Sequence, residues 1–266
     1  MINDAHIHLF RTGYGLDTAP DDELRHYLAI REAAGIDRAV VVGYEGLPQF
    51  RGNNDYVIAV ARKHPWIVPL AYLDVTEAPA PATLDRLCEQ GFAGFSLYLA
   101  GAEPGLDAWP ANSLAALSGA LLSVNADPPS LVRSEPVLAG LTRSTIMISH
   151  LGGPGTAIAG VGAAEAAGRL APVLRLARHD QVRVKLSGLY AIDPQYPHRA
   201  AEGAVEALLA GTETGKLLWG SDFTPALQAV DPDQLTRLPD WLGRRLGAAR
   251  PDVLGGNLAA LLAPRS

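Results

Sequence analysis

Eight short apolar, β-branched runs recur along the chain, each followed by a longer stretch of helical composition. That alternation restricts the fold to parallel strands with helical crossovers, because parallel neighbours need a connection long enough to hold a helix. The runs read as strands at 2–6, 39–43, 67–72, 94–98, 121–125, 145–149, 182–186 and 216–220. A glycine-containing loop, 11–17, follows the first strand. Helices are expected at 21–34, 54–63, 82–90, 113–117, 129–139, 163–177 and 200–209, with a mainly helical tail over 235–262. Asp21 or Asp22 is expected to cap the first helix and Gly35 to stop it. Eight strands in 266 residues fit a (β/α)8 TIM barrel, which takes about 250 residues. A doubly wound open sheet uses the same alternation, but no Gly-x-Gly-x-x-Gly follows the first strand. With no composition shift or long linker, residues 1–266 read as a single domain.

Bulk properties exclude several classes. The net charge of −6 gives no basic footprint for nucleic acid. No apolar run reaches the ~20 residues of a membrane span, and no basic region precedes a long apolar stretch at the start. A cytoplasmic protein without membrane or nucleic-acid partners is expected. Cys88 is the single cysteine, so neither a disulfide within the chain nor a Cys-rich zinc site is available. Cys88 itself is expected to be a small buried side chain.

Chemistry concentrates at the strand ends. In Asp4-Ala5-His6-Ile7-His8 the two imidazoles share a face if the segment is extended, because strand side chains alternate. His150 ends the sixth run and Asp222 follows the eighth. All C-terminal strand ends of a barrel face one site, so these four residues meet there. His6, His8, His150 and Asp222 are candidate metal ligands of the nitrogen-and-carboxylate kind that zinc takes, and Asp222 is also a candidate base for water. Singly, each signal is weak: lone histidines at strand ends are usually structural, and a lone Asp after a strand is usually a cap. Arg11, Tyr98, Asn125, Lys185 and Tyr190 lie at strand ends, in their loops or within a strand, and are candidate substrate contacts. Lys185 reaches the site only if its face of the seventh strand points inward; outward, it would snorkel between helices.

In order and spacing, these motifs resemble the amidohydrolase superfamily, specifically its amidohydrolase-related branch. The resemblance spans nearly the whole chain. It runs through Asp4-Ala5-His6-Ile7-His8, Arg62-Lys63-His64-Pro65, Gly91-Phe92-Ala93-Gly94-Phe95, Ser149-His150-Leu151-Gly152-Gly153, Lys185-Leu186-Ser187-Gly188, Leu218-Trp219-Gly220-Ser221-Asp222 and the closing segment from Gly256. It implies a TIM barrel and a hydrolase, closest to the lactonases for pyrone dicarboxylates and sugar lactones. Members with a full metal centre commonly carry a lysine or other ligand from strand 4 and a histidine from strand 5. Here those strands offer Ser96, Tyr98 and Asn125, so the resemblance implies one divalent metal, zinc first, or metal-independent work.

The favoured expectation is opening of a small lactone or cyclic ester, anionic or polar, by water activated at Asp222. His6, His8 and His150 would hold a metal or polarise the carbonyl. Non-oxidative decarboxylation or hydration of an aromatic acid is the alternative within the family, with Asn125 against it. A catalytically silent small-molecule binder is the third. Assembly into a homo-oligomer is open.

Overall fold

The computed structural model describes residues 1–15 and 19–263; Asp17, the expected end of the first loop, and the last three residues of the expected domain lie outside the described residues. Eight parallel strands lie side by side in chain order as a TIM barrel. They are β1 (Ile2–Ile7), β2 (Ile36–Val42), β3 (Ile67–Leu73) and β4 (Gly94–Tyr98). The second half adds β5 (Leu121–Asn125), β6 (Thr145–Ile148), β7 (Val182–Leu186) and β8 (Leu217–Trp219). A parallel bridge between Ile7 and Phe223 joins the first strand to the segment after the last. The crossover helices are α1 (Asp22–Ala34), α2 (Asn53–Ala61), α3 (Pro81–Gln90), α4 (Ala111–Ala115) and α5 (Pro128–Gly140). After them come α6 (Ala163–Arg169), α7 (Ala171–Leu176) and α8 (Glu202–Gly211). Among the described residues no helix is long and apolar enough to cross a membrane.

Two apolar clusters explain the register. One face of the strands, with Ala39, Val41, Phe95, Leu97, Val182 and Val184, packs against the helices. The alternate residues Val40, Val42, Val68, Leu70, Met147 and Leu218 gather in a separate cluster enclosed by the strands. On β7 this alternation decides the fate of Lys185. Val182, Val184 and Leu186 are buried, and each such side chain is worth roughly 1.5–3 kcal/mol of burial. They take the helix face, and period two turns Lys185 inward.

Three local expectations are corrected. The single helix over 163–177 is two, α6 and α7, meeting at Leu170 with Pro172 in the first turn of the second. Proline has no N–H and its ring crowds the carbonyl four residues back, so the helix cannot run through. The first helix has Asp21 at its N-cap, but in a left-handed conformation and without a side-chain capping bond; Asp21 instead accepts from the Tyr56 hydroxyl. Cys88, in the last turn of α3, is exposed.

Candidate active site

His6 lies within β1, and His8 follows the strand's end. Asp222 sits three residues beyond β8 and His150 two beyond β6. Both of the latter have positive φ, 59° and 53°, as does Leu151 at 57°. Non-glycine residues with such backbones are held by their surroundings and cluster at functional sites. His6 Nε2 is 3.1 Å from His8 Nε2. Asp222 Oδ1 stands 3.5 Å from the first and 3.8 Å from the second. That oxygen is buried without a hydrogen-bond partner, whereas Oδ2 accepts from the Tyr190 hydroxyl at 2.5 Å.

Hydrogen bonds assign the protons. His8 Nδ1 lies 2.7 Å from the Val42 carbonyl, an obligate acceptor, so Nδ1 carries hydrogen and Nε2 a lone pair. His6 Nδ1 has two neighbours, Ser149 Oγ at 3.2 Å and Lys185 Nζ at 3.1 Å. When Ser149 accepts from Nδ1, the His6 lone pair also faces the centre. Three donor atoms then converge with separations of 3.1, 3.5 and 3.8 Å. Tetrahedral zinc with bonds of about 2.0–2.1 Å places its ligand atoms about 3.3 Å apart. The set therefore fits one divalent cation of the zinc type, and the unpartnered Asp222 oxygen is the observation that favours it. When Lys185 instead donates to Nδ1, His6 Nε2–H can donate to His8, a metal-free arrangement of the same groups.

His150 is not one of these three converging donors but stands beside them. Its Nε2 is 3.8 Å from Asp222 Oδ2. Ser187 Oγ accepts from the His150 backbone N–H at 3.4 Å and lies 3.0 Å from Nδ1, so its own hydrogen is free to point at the ring. Nδ1 then accepts and Nε2–H is the donor facing the site. Gly188 makes room for this ring: a Cβ there would come within 2.6 Å of His150 Nδ1.

Burial sets the charges. It raises Asp222 to about 6, against the opposing effects of His8, Tyr190 and Lys185. Burial lowers His8 to about 4 and His150 to about 3, the latter helped by the Lys185 charge. His6 falls well below its ordinary value for the same two reasons. Burial lowers Lys185 to about 7, opposed by Asp222 and Asp4. Near neutral pH the centre is thus an ionised Asp222 among three neutral imidazoles.

A cavity of about 330 Å³ opens over this floor. His8, His150 and Asp222 form its base, and Tyr98, Asn125 and Tyr190 its walls. Tyr98 and Asn125 are register partners on β4 and β5. Two expected contacts are elsewhere. Arg11 is exposed and lines a different cavity with Asp21, Arg51 and Lys63, because the loop after β1 turns it outward. Lys185 is fully buried beneath His6, donating to Ser123 Oγ at 2.7 Å, and does not line the cavity. Phe10, Tyr14, Tyr44, Leu47 and Pro225 complete the mouth and lie outside the strands, in segments without a motif. Glu23 on α1 was equally silent in sequence: it is buried and accepts from the backbone of Phe10 and Tyr14 and from the Thr224 hydroxyl, tying two site loops together.

The Amidohydrolase family model matches residues 4–262. A search of curated proteins returns no match. Among solved structures, the fold is similar to an amidohydrolase from Burkholderia multivorans with bound zinc, at 21% identity and TM-score 0.78 over 98% of both chains. It is also similar to a probable 2-pyrone-4,6-dicarboxylic acid hydrolase from Acinetobacter baumannii with citric acid bound, at 18% identity and TM-score 0.72 over 98% of both chains.

Proposed function

The chain belongs to the amidohydrolase family, and from that premise we propose that it hydrolyses a small lactone or related cyclic ester. The lactone part draws on the similar fold of the probable 2-pyrone-4,6-dicarboxylic acid hydrolase. The observation that carries the reading is Asp222 Oδ1, buried and unpartnered, facing the Nε2 atoms of His6 and His8 at the base of a cavity.

Asp222 is the base. Ionised above about 6, it takes a proton from the water that attacks the ester carbonyl carbon. Tyr190 donates to Oδ2, which fixes the carboxylate plane. His150, neutral and donating from Nε2, stabilises the oxyanion that develops on the carbonyl. The ring C–O bond then breaks, and the leaving oxygen receives the proton from Asp222 to give a hydroxy acid. His6, His8 and Asp222 are the residues to hold a divalent cation, zinc by donor type, which when bound supplies Lewis-acid polarisation and a more acidic water.

Asp222→Asn and the wild type are compared for hydrolysis of a lactone panel that includes 3,4-dihydrocoumarin, with metal content measured by mass spectrometry. Loss of the base is expected to lower kcat/KM by about 10²–10⁴-fold in a variant that remains folded by circular dichroism. Unchanged turnover removes Asp222 from the role. His6→Ala is expected to lose bound zinc, and full zinc retention removes His6 from the ligand set.

A further inference from the structure

We propose that Glu23 is a positioning residue for the cation centre: through Thr224 and the main chain of Phe10 it holds Asp222 against His8. The inference rests on the hydrolase reading above. Glu23 is the second residue of α1 and is buried. Its Oε2 accepts from the Phe10 backbone N–H. Its Oε1 accepts from the Tyr14 backbone N–H at 2.9 Å and from the Thr224 hydroxyl. His8, Phe10 and Tyr14 line the site cavity from the first of these segments, and Asp222 and Pro225 from the second. A carboxylate suits the place because all three partners are donors; a carboxamide would turn an N–H toward one of them.

The place of Glu23 along the seam gives these bonds their consequence. Asp4 joins the two segments on the near side of the centre, accepting from the Ser221 backbone and hydroxyl and from the His6 backbone. Main-chain bonds follow, from Asp222 N–H to the His6 carbonyl and from His8 N–H to the Phe223 carbonyl. Glu23 is the next cross-link outward, one residue past Phe223 on one segment and two past His8 on the other. His6, His8 and Asp222 therefore lie between two buried carboxylates. Asp222 depends on both. At φ 59° it occupies a backbone region unfavourable to a non-glycine residue, which persists only where the surroundings hold it. Ser221 is fixed to Asp4 before it, and Thr224 to Glu23 after it. Release of Thr224 lets the turn relax and carries Oδ1 away from His8 Nε2, now 3.8 Å distant. Groups that orient metal ligands from behind typically change affinity or rate by about 10–100-fold when removed.

The test is Thr224→Val, which deletes the cross-link yet leaves each Glu23 oxygen a backbone partner. Zinc affinity is measured by chelator competition and lactone hydrolysis by steady-state kinetics, with folding checked by circular dichroism. Zinc binding is expected to weaken about 10–100-fold and kcat to fall on the same scale, with KM changed far less. Thr224→Ser, which keeps the hydroxyl, is expected to restore both. Wild-type zinc affinity and kcat in Thr224→Val overturn the inference, as does a serine variant as weak as the valine one. Glu23→Gln is expected to show the same loss and decides alone if Thr224→Val does not fold; wild-type values in it overturn the inference. If the wild type hydrolyses no lactone, the hydrolase reading fails and zinc affinity still judges Glu23. If it binds no zinc, crystal structures of the wild type and the folded variant decide. The distance from His8 Nε2 to Asp222 Oδ1 is then expected to open by about 1 Å, and an unchanged distance overturns the inference.

Discussion

Lys185 occupies a position that few ammonium groups tolerate: fully buried, in contact with Ser123 and His6 and, among the described residues, without an ion pair to a carboxylate. Burial of the charged form is disfavoured, and the group falls to about 7 from 10.5. Between those values the unfolded chain holds a proton that the folded chain has released. Unfolded chains with more bound protons lose ground as pH rises, so the metal-free protein gains stability from pH 7 to about 10.5 through this residue. Lys185→Met removes that gain. Urea midpoints at pH 7, 8, 9 and 10 in the presence of chelator are expected to climb in the wild type and to climb less in the variant. Parallel curves would show that Lys185 keeps its proton when buried. The residue also controls where the His6 proton sits, because an ammonium can only donate to Nδ1 whereas Ser149 can accept from it.

Strand ends and the turns after them set the positions of the reacting groups. The turn after β7 carries Gly188 at φ +67°, and the turn after β6 carries His150 and Leu151, both left-handed. Gly188→Ala would strain the first turn and push a methyl group into the His150 ring. Displacement of a reacting group by about 1 Å can cost on the order of 10²-fold in rate. Gly188→Ala is therefore expected to lower kcat/KM on that scale while the far-ultraviolet circular dichroism stays native; wild-type kcat/KM would mean His150 moves without consequence. At this scale β4, β5 and β7 coincide with their sequence runs, since short apolar runs bounded by glycine or polar residues leave little freedom of extent. The convergence of His6, His8, His150 and Asp222 was legible because every C-terminal strand end in a barrel points to one face. The orientation of Lys185 was not. Both faces of a barrel strand are covered, so a single polar residue in an apolar run does not announce which side is inside. Arg11, Phe10, Tyr14 and Leu47 escaped for a different reason: side-chain direction in a loop follows from tertiary contacts such as those of Glu23, not from any period.

Closure of the whole barrel passes through Asp4. Its Oδ1 accepts from the backbone N–H groups of Ser221 and His6, and its Oδ2 from the hydroxyls of Ser221 and Tyr27. One buried carboxylate thus joins β1 to the segment after β8, beside the backbone bond from Asp222 N–H to the His6 carbonyl at 2.9 Å. The same contacts that close the barrel hold His6 and Asp222 in register. Asp4→Ala would leave several buried donors unpaired, each unmade bond costing about 1–3 kcal/mol, and strong destabilisation is expected. Asp4→Asn is the finer probe. Burial raises Asp4 from 3.8 to about 6, with Ser221, His6 and Tyr27 pulling it back. Between those values the folded chain holds a proton that the unfolded chain has lost, so the stabilisation is full below 3.8 and is lost as pH rises through about 6. The three histidines and Asp222 titrate across the same range in both proteins, so the difference between wild type and Asp4→Asn isolates Asp4. Urea unfolding from pH 4 to 8 is expected to show that difference shifting in favour of the variant up to about pH 6, then levelling. A difference moving the other way would mean that the four donors outweigh burial and that Asp4 closes the barrel as a charged clamp.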